Sequence, residues 1–487
     1  MLARTVTHAL VGLDARRVEV EAHLDGGIPG FAIVGLADRA CQEAKHRVRS
    51  GIASAELEWP VRSRITVNLA PAELRKEGSA FDLPIALSIL GASGQVPRER
   101  LDDHAAVGEL GLDGSLRPVG GVLALAEAAC RAGLPRILCA ARSCAEASLA
   151  GIEPVPVHHL SEAVAYLRGE CEPQPWIEGN GHPPEEPQPD LADVRGQERA
   201  RRALEIAATG GHNLLLAGPP GTGKTMLARR LPSILPPLST AEALEVTRIH
   251  SVAGMLSPGR PLITSRPLRS PHYNASVAAL VGGGPGPRPG EVSLAHRGVL
   301  VLDEFAEFQR PALEALRQPL EDGVVSIARV GGRATFPARF QLVAAMNLCP
   351  CGARGDPAAD CKCSPQRLAA FRDKLSRALL DRFDLVVAMP RPRAAELAAP
   401  PGEASDVVRF RVATGRRQLE ARRADWTKEA TELLDRAVER LPLSGRGRAR
   451  ARRVAETIAA LAGEPAVGAD HLAEALSYRS PTELSAR

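Results

Sequence analysis

Residues Gly218 to Thr225 read GPPGTGKT, a complete GxxxxGK[ST] phosphate loop, and the apolar run Asn213 to Ala217 supplies the strand that must feed it. No other feature constrains the fold as strongly. Such a loop turns a buried strand into a helix, so it predicts an α/β sheet and a bound nucleoside triphosphate. Gly218, Pro219, Pro220, Gly221, Thr222 and Gly223 form the cradle in which backbone N–H groups close around phosphate. Lys224 is placed to reach the β and γ oxygens, and the Thr225 hydroxyl to ligate Mg²⁺.

At 487 residues the chain exceeds what one hydrophobic core supports, which predicts two to four domains. Apolar residues at 45% and charged ones at 24% describe an ordinary soluble protein. Charges interrupt the apolar residues of the first segment, and no apolar run is long enough to span a membrane, so the expectation is a cytoplasmic protein without membrane contact. Nine cysteines without a secretory leader read as thiols or metal ligands rather than a disulfide framework. The formal charge of +4 is nearly balanced, so only local clusters can argue for nucleic acid.

Six prolines between Glu172 and Asp190 mark a linker. Beyond it, Arg195 to Gly211 reads as a helix, followed by the loop strand and two more apolar strands, Gly298 to Glu304 and Phe340 to Asn347, each ending in polar residues. A second proline-rich stretch, Met389 to Glu403, precedes a helical, arginine-rich tail. The expected division is residues 1–171, a linker at 172–192, a nucleotide-binding unit at 193–392 and a helical unit at 393–487.

Asp303 and Glu304, closing a buried strand about eighty residues after the phosphate loop, have the form of a Walker B pair. The aspartate would hold Mg²⁺ through water and the glutamate would orient the attacking water, which implies hydrolysis. The pattern resembles the AAA+ superfamily. That resemblance implies that Asn347 is the sensor 1 residue and that Arg382, in LLDRFD, is an arginine finger acting on a neighbour's nucleotide. A homo-oligomeric ring, a hexamer, follows from it. A salt bridge of Arg382 with Asp381 or Asp384 is the alternative reading.

The strings RPLRSPHYNAS, LVGGGPGPRPGEVSLAHRGVLVLDE, LRQPLEDGVVSIAR and FPARFQLVAAMNLCPCG resemble the YifB/ComM family of magnesium-chelatase-like AAA+ proteins over essentially the whole chain. Departures are Tyr273-Asn274 for the family's His-Thr, Leu348 for Pro, and Arg377-Ala378 for Gly-Pro. The LSxR segment of the family makes Arg446 the expected sensor 2 arginine, with Arg450 as runner-up; the same arginines could equally form a solvated or DNA-facing helix surface. The resemblance implies a multidomain α/β protein: an α+β, Lon-protease-like (ribosomal S5-like) N-terminal domain, a central AAA+ P-loop domain with a parallel sheet, and a C-terminal α-helical lid.

In that N-terminal domain KEGSAFDLPIALSIL and GELGLDGSLRPVGG resemble the proteolytic domain of Lon-type proteases, whose chemistry needs a Ser-Lys dyad. The nucleophile position falls at Ala80 and the lysine position at Leu123, with Ser79 adjacent, so a structural or partner-binding role is expected. The pair His158-His159 reads as surface rather than a metal site. Cys349, Cys351, Cys361 and Cys363 form two CxC pairs in a loop with no core of its own, which suits S₄ coordination of a structural Zn²⁺; buried or redox-inert thiols are the alternative.

The family resemblance implies a ring motor that drives DNA branch migration in recombination during natural transformation, with recombination proteins as further partners. Arg266, Arg269, Arg329 and Arg333 are the candidate contacts to single-stranded or branched DNA. The second reading is a chelatase-like or chaperone motor that remodels a protein partner. An ATP-dependent protease conflicts with the missing dyad.

Overall fold

The computed structural model of the protein describes residues 1–172, 188–257, 259–284, 287–329, 332–421, 424–440 and 444–479. Most of the expected linker, 173–187, and the hairpin tip at Val330-Gly331 lie outside the described residues. The chain is mixed α/β, and the sheet that carries the phosphate loop is parallel throughout its five strands.

That sheet runs in the order Leu268–Arg269, Val299–Leu302, Gln341–Met346, Leu214–Ala217, Leu385–Ala388. Leu214–Ala217, Val299–Leu302 and Gln341–Met346 are buried at every position, the pattern of parallel strands covered on both faces. Register is fixed by Leu214 opposite Val343 and Leu385, and by Ala217 opposite Met346 and Ala388. All carboxyl ends therefore meet at one edge, where Gly218 begins the phosphate loop. Gly218 has to be glycine: a Cβ there would lie 2.2 Å from the Met389 carbonyl oxygen. The edge strand Leu268–Arg269 was not foreseen, since two residues carry no period.

Between the second and third strands of that sheet order, the chain makes helices Arg310–Ala315 and Arg317–Asp322 and then a hairpin, Val324–Arg329 with Gly332–Pro337. The hairpin base is closed by the Ala338 N–H on the Gly323 carbonyl at 2.8 Å. Helices Ser405–Ala421, Lys428–Arg440, Gly445–Ala462 and Ala469–Ser477 make up the tail. Val412, Val454 and Ile458 of the tail share one hydrophobic cluster with Leu214, Leu216 and Leu385, so these helices pack on the sheet. A two-residue parallel pair, Asp425–Trp426 with Ala466–Val467, interrupts the helical pattern.

The first 170 residues build a seven-stranded sheet of mixed direction, ordered Gly30–Val34, Ser63–Ala70, Asp14–Gly26, Leu2–Val11, His104–Ala106, Arg136–Ala140, Glu153–Val157. Helix Asp82–Ala92 is buried along its whole length against it. Leu123 is fully buried, Ser79 donates its hydroxyl to Glu109, and Lys76 donates to the Pro71 carbonyl. Ser79 thus faces a carboxylate rather than the lysine amine that would take its proton in a Ser-Lys dyad. His159 caps helix Leu160–Arg168 and His158 pairs with Glu162 at 3.3 Å. This part touches the rest of the chain through Gly121 N–H on the Ser251 carbonyl at 3.0 Å and Arg248 on Glu127 at 2.6 Å.

His8 and His212 are both buried, and burial first of all pushes each imidazole down to about 4 from 6.5. The folded protein holds them neutral, while the unfolded chain takes up a proton near 6.5, so their contribution is complete above pH 6.5 and is lost as pH falls toward 4. The slope is at most about 1.4 kcal/mol per pH unit for each. The thermal midpoint is predicted to fall over that range and His212→Gln to flatten the fall. An equal pH slope in variant and parent would remove His212 from this role.

Candidate active site

The phosphate loop closes on itself through its lysine. Lys224 lies almost fully buried at the start of helix Lys224–Ala228, and its Nζ donates to the carbonyls of Gly218 at 2.8 Å and Pro219 at 2.7 Å. A third donation, 3.3 Å long, goes to Asn347 Oδ1. Burial lowers the ammonium pKa and the nearby Asp303 carboxylate raises it again, so the charge is kept by its neighbour. The two carbonyls satisfy a cation that phosphate oxygens could take over.

Thr225 Oγ1 donates to Asp303 Oδ2 at 2.8 Å, which joins the loop to the end of strand Val299–Leu302. Thr225 and Asp303 are the pair that would hold Mg²⁺, and a hydroxyl and a carboxylate oxygen suit a hard cation that keeps most of its waters. Glu304 follows with its backbone in the left-handed region, φ 52°, and its side chain exposed. For a residue with a Cβ that conformation costs roughly 1–3 kcal/mol, and such strain gathers at sites where a side chain must be aimed. Asn347 ends strand Gln341–Met346 at the same edge, between Asp303 and the loop lysine in the sheet order. Lys224, Thr225, Asp303, Glu304 and Asn347, predicted separately, are thus brought together.

Sequence reasoning missed Gln197. Its backbone is also left-handed, φ 55°, and its side-chain amide bridges the Thr222 carbonyl at 3.4 Å and the Pro390 carbonyl at 2.8 Å, tying the loop to the chain after the last strand. A lone glutamine before a helix gives no periodic signal.

The cysteine loop lies against the same cradle. A Cβ on Gly352 would come 2.9 Å from Pro220 Cγ, so the loop backs directly onto the phosphate loop. The sulfurs of Cys349, Cys351, Cys361 and Cys363 all lie within 4.8 Å of one another, with Cys349 and Cys351 at 3.3 Å and Cys351 and Cys361 at 3.7 Å. Four thiolates at about 2.3 Å from a tetrahedral zinc would stand about 3.8 Å apart, so the donor set fits. A hydrogen bond from the Ala353 N–H, helped by the neighbouring thiols, holds Cys351 down to about 6.

Arg382 is 4% exposed, with Nη1 on the Ala378 carbonyl at 3.0 Å and Nη2 on Glu321. Its partner is therefore Glu321 rather than Asp381 or Asp384. Asn213 Nδ2 donates to the Arg382 carbonyl at 3.0 Å. Asn213 precedes strand Leu214–Ala217 and Gly218 follows it, so Arg382 stands at the sheet edge opposite its own phosphate loop. The four-residue strand between them is about 13 Å long.

Two sequence expectations, Arg266 and Arg269 as DNA contacts, need correction, and the sensor 2 candidates take a definite edge. Arg446 approaches Glu321 at 3.6 Å and Arg450 approaches Asp384 at 3.5 Å, which puts both sensor 2 candidates at the Arg382 edge and away from their own nucleotide loop. Arg266 is withdrawn into the fold, donating to the Pro236 and Arg297 carbonyls at 2.6 Å each, with its side chain 10% exposed. Arg269 is held by both Glu291 oxygens at 2.7 and 2.8 Å. Neither presents a free cation to DNA. Arg333 is exposed on the hairpin; the Arg329 side chain lies outside the described residues.

Comparison with known proteins places this site in a family. Residues 190–397 match the family described as magnesium chelatase, subunit ChlI, 20–143 match subunit ChlI of Mg-chelatase, and 402–479 match the ChlI C-terminal family. An uncharacterized protein of Mycobacterium tuberculosis is 47% identical over 98% of this chain and 98% of its own length. The uncharacterized protein YifB of Escherichia coli is 40% identical over 98% of this chain and 97% of its own. Competence protein ComM of Haemophilus influenzae is 42% identical, covering 99% and 98%. The chain belongs to the YifB/ComM family of magnesium-chelatase-like AAA+ proteins. Among the described residues no helix is long and apolar enough to cross a membrane.

For this YifB/ComM member, Lys224→Ala is predicted to lose nucleotide binding in calorimetric titration. Glu304→Gln is predicted to keep binding while phosphate release falls about a hundredfold or more. Full turnover in Glu304→Gln would reject the role given to that carboxylate.

Proposed function

We propose that the protein is a ring-forming ATPase that couples ATP hydrolysis to translocation on DNA and to branch migration in recombination during natural transformation. The placement of Arg382 carries the ring. A buried guanidinium at the far edge of the sheet has no path to its own γ-phosphate, yet it suits the phosphate of a neighbour whose loop edge packs against it. Arg446 and Arg450 share that edge and would serve the same neighbouring nucleotide. A closed hexamer gives every pocket such a neighbour.

Within each pocket the roles follow from position. Lys224 exchanges its carbonyl partners for phosphate oxygens, and Asn347, already bonded to it, senses the same group. Glu304 orients the attacking water. Bound Mg²⁺ neutralises phosphate charge. The division at 1–171, 172–192, 193–392 and 393–487 belongs to this proposal, with the first unit serving as a docking or partner-binding module.

DNA as the track is supported by the hairpin, an antiparallel pair bearing exposed Arg333 and suited to sequence-independent phosphate contact, and by the name of the ComM relative. The chelatase subunit matches favour the second reading, a motor that remodels a protein partner. The four cysteines are proposed to hold a structural Zn²⁺ that braces the chain between Asn347 and the phosphate loop.

Forked or Holliday-like DNA at low salt is predicted to stimulate phosphate release, and Arg382→Ala to lower turnover about a thousandfold. Absence of stimulation, binding and strand displacement would reject DNA as the track and favour the protein-partner motor. Protein purified without chelator is predicted to carry about one zinc per chain by elemental analysis, four thiolates making one tetrahedral site. A content far below that would remove the metal.

A further inference from the structure

At the edge opposite the phosphate loop lies a polar cavity of about 430 Å³ whose walls include Glu321, Gly323, Arg339, Arg382, Asp384 and Arg450. Four arginines, Arg339, Arg382, Arg450 and Arg453, meet three carboxylates there, Glu321, Asp322 and Asp384. Arg453 joins Arg450 on Asp384 at 3.4 Å, and Arg446 joins Arg382 on Glu321. Among the described residues, buried Arg382 Nε, Arg450 Nη1 and Arg479 Nε have no hydrogen-bond partner. Buried donors left unpaired are costly, so the cluster is built for more acceptor oxygens than the carboxylates in contact with it supply.

Glu321 is the exchangeable part of this arrangement. One of its oxygens, Oε1, meets both Arg382 Nη2 and Arg446 Nη1, while its side chain stays 46% exposed. A triphosphate offers more charge and several oxygens in the geometry that guanidinium forks match, so it outcompetes a single shared carboxylate oxygen.

The position of Glu321 in the chain gives the exchange a consequence. It lies in the last turn of helix Arg317–Asp322, and the strand Val324–Arg329 of the hairpin starts just beyond Gly323. Gly323 receives the N–H that closes the hairpin base, and a Cβ on it would lie 2.9 Å from Arg339 Cγ. Arginine cluster, helix end and hairpin base therefore pack as one piece, and both Gly323 and Arg339 line the cavity.

We propose that Glu321 is a resident anion of the arginine cluster, displaced when the neighbouring subunit presents a nucleoside triphosphate, and that its release repositions the hairpin. The proposal rests on the ring reading above. It assigns Glu321 as a positioning residue that reports the neighbour's nucleotide state to the surface contacting the track. ADP, lacking the γ-phosphate, leaves Glu321 in place.

The test uses the full-length protein and Glu321→Gln, which keeps shape and loses charge. DNA-free phosphate release is expected to rise about fivefold, the scale of one charge-assisted hydrogen bond partly replaced, while DNA stimulation shrinks. Arg382→Ala abolishes turnover in both backgrounds. If Arg382→Ala leaves turnover intact, the ring reading fails and this proposal with it. If Arg382→Ala is inactive but Glu321→Gln matches the parent with and without DNA, the ring stands and the exchange is overturned.

Hydrogen exchange in Glu304→Gln assemblies covers the case in which Glu321→Gln does not fold. With ATP against ADP, the segment around Arg382 is expected to gain protection and residues 317–337 to change theirs. Protection at Arg382 with no change over 317–337 overturns the exchange alone.

Discussion

The parallel register of the buried strand Leu214–Ala217 between Gln341–Met346 and Leu385–Ala388 is the constraint on which the rest depends. Because all three strands point the same way, everything that follows a strand gathers at one edge and everything that precedes one gathers at the other. The first edge receives Lys224, Thr225, Asp303, Glu304 and Asn347; the second receives Asn213, Arg382 and Asp384. A register shift would separate Lys224 from Asn347 and bury the wrong faces. The same hydrogen-bond ladder thus sets the fold and the placement of both clusters.

That polarity also gives the two edges of the sheet different chemistry. The loop edge is satisfied internally, with Lys224 on its own carbonyls and Thr225 on Asp303. The opposite edge is over-supplied with guanidinium groups and short of acceptors. Each edge lacks what the other carries. The tail helices reinforce the second edge, since Gly445–Ala462 packs on the sheet through Val454 and Ile458 while its arginines meet Glu321 and Asp384.

The grouping at the loop edge was legible because its signals are local: a glycine-rich loop after an apolar run, an acidic pair after another, an asparagine after a third. The misread residues depend on partners distant in sequence. Arg266 and Arg269 look like available cations until Pro236, Arg297 and Glu291 come into contact with them. The edge at which Arg446 lies was not legible, because a motif names a helix without saying where it docks. Gln197 and Glu321 gave no signal, as their importance lies in a bridging amide and a shared oxygen that only the folded chain creates. The cysteine loop was legible as a donor set but not as the backing of Pro220, which depends on a close glycine approach.

Subunit mixing measures the sharing of pockets directly. Chains carrying Lys224→Ala and chains carrying Arg382→Ala, each inactive alone, are combined in equal amounts before assembly and assayed for phosphate release. If adjacent chains complete one another's pockets, random mixing restores about a quarter of the parent rate, because one pocket in four then pairs an intact lysine with an intact arginine. A mixture as inactive as its components, in rings shown to contain both chains, would contradict the account.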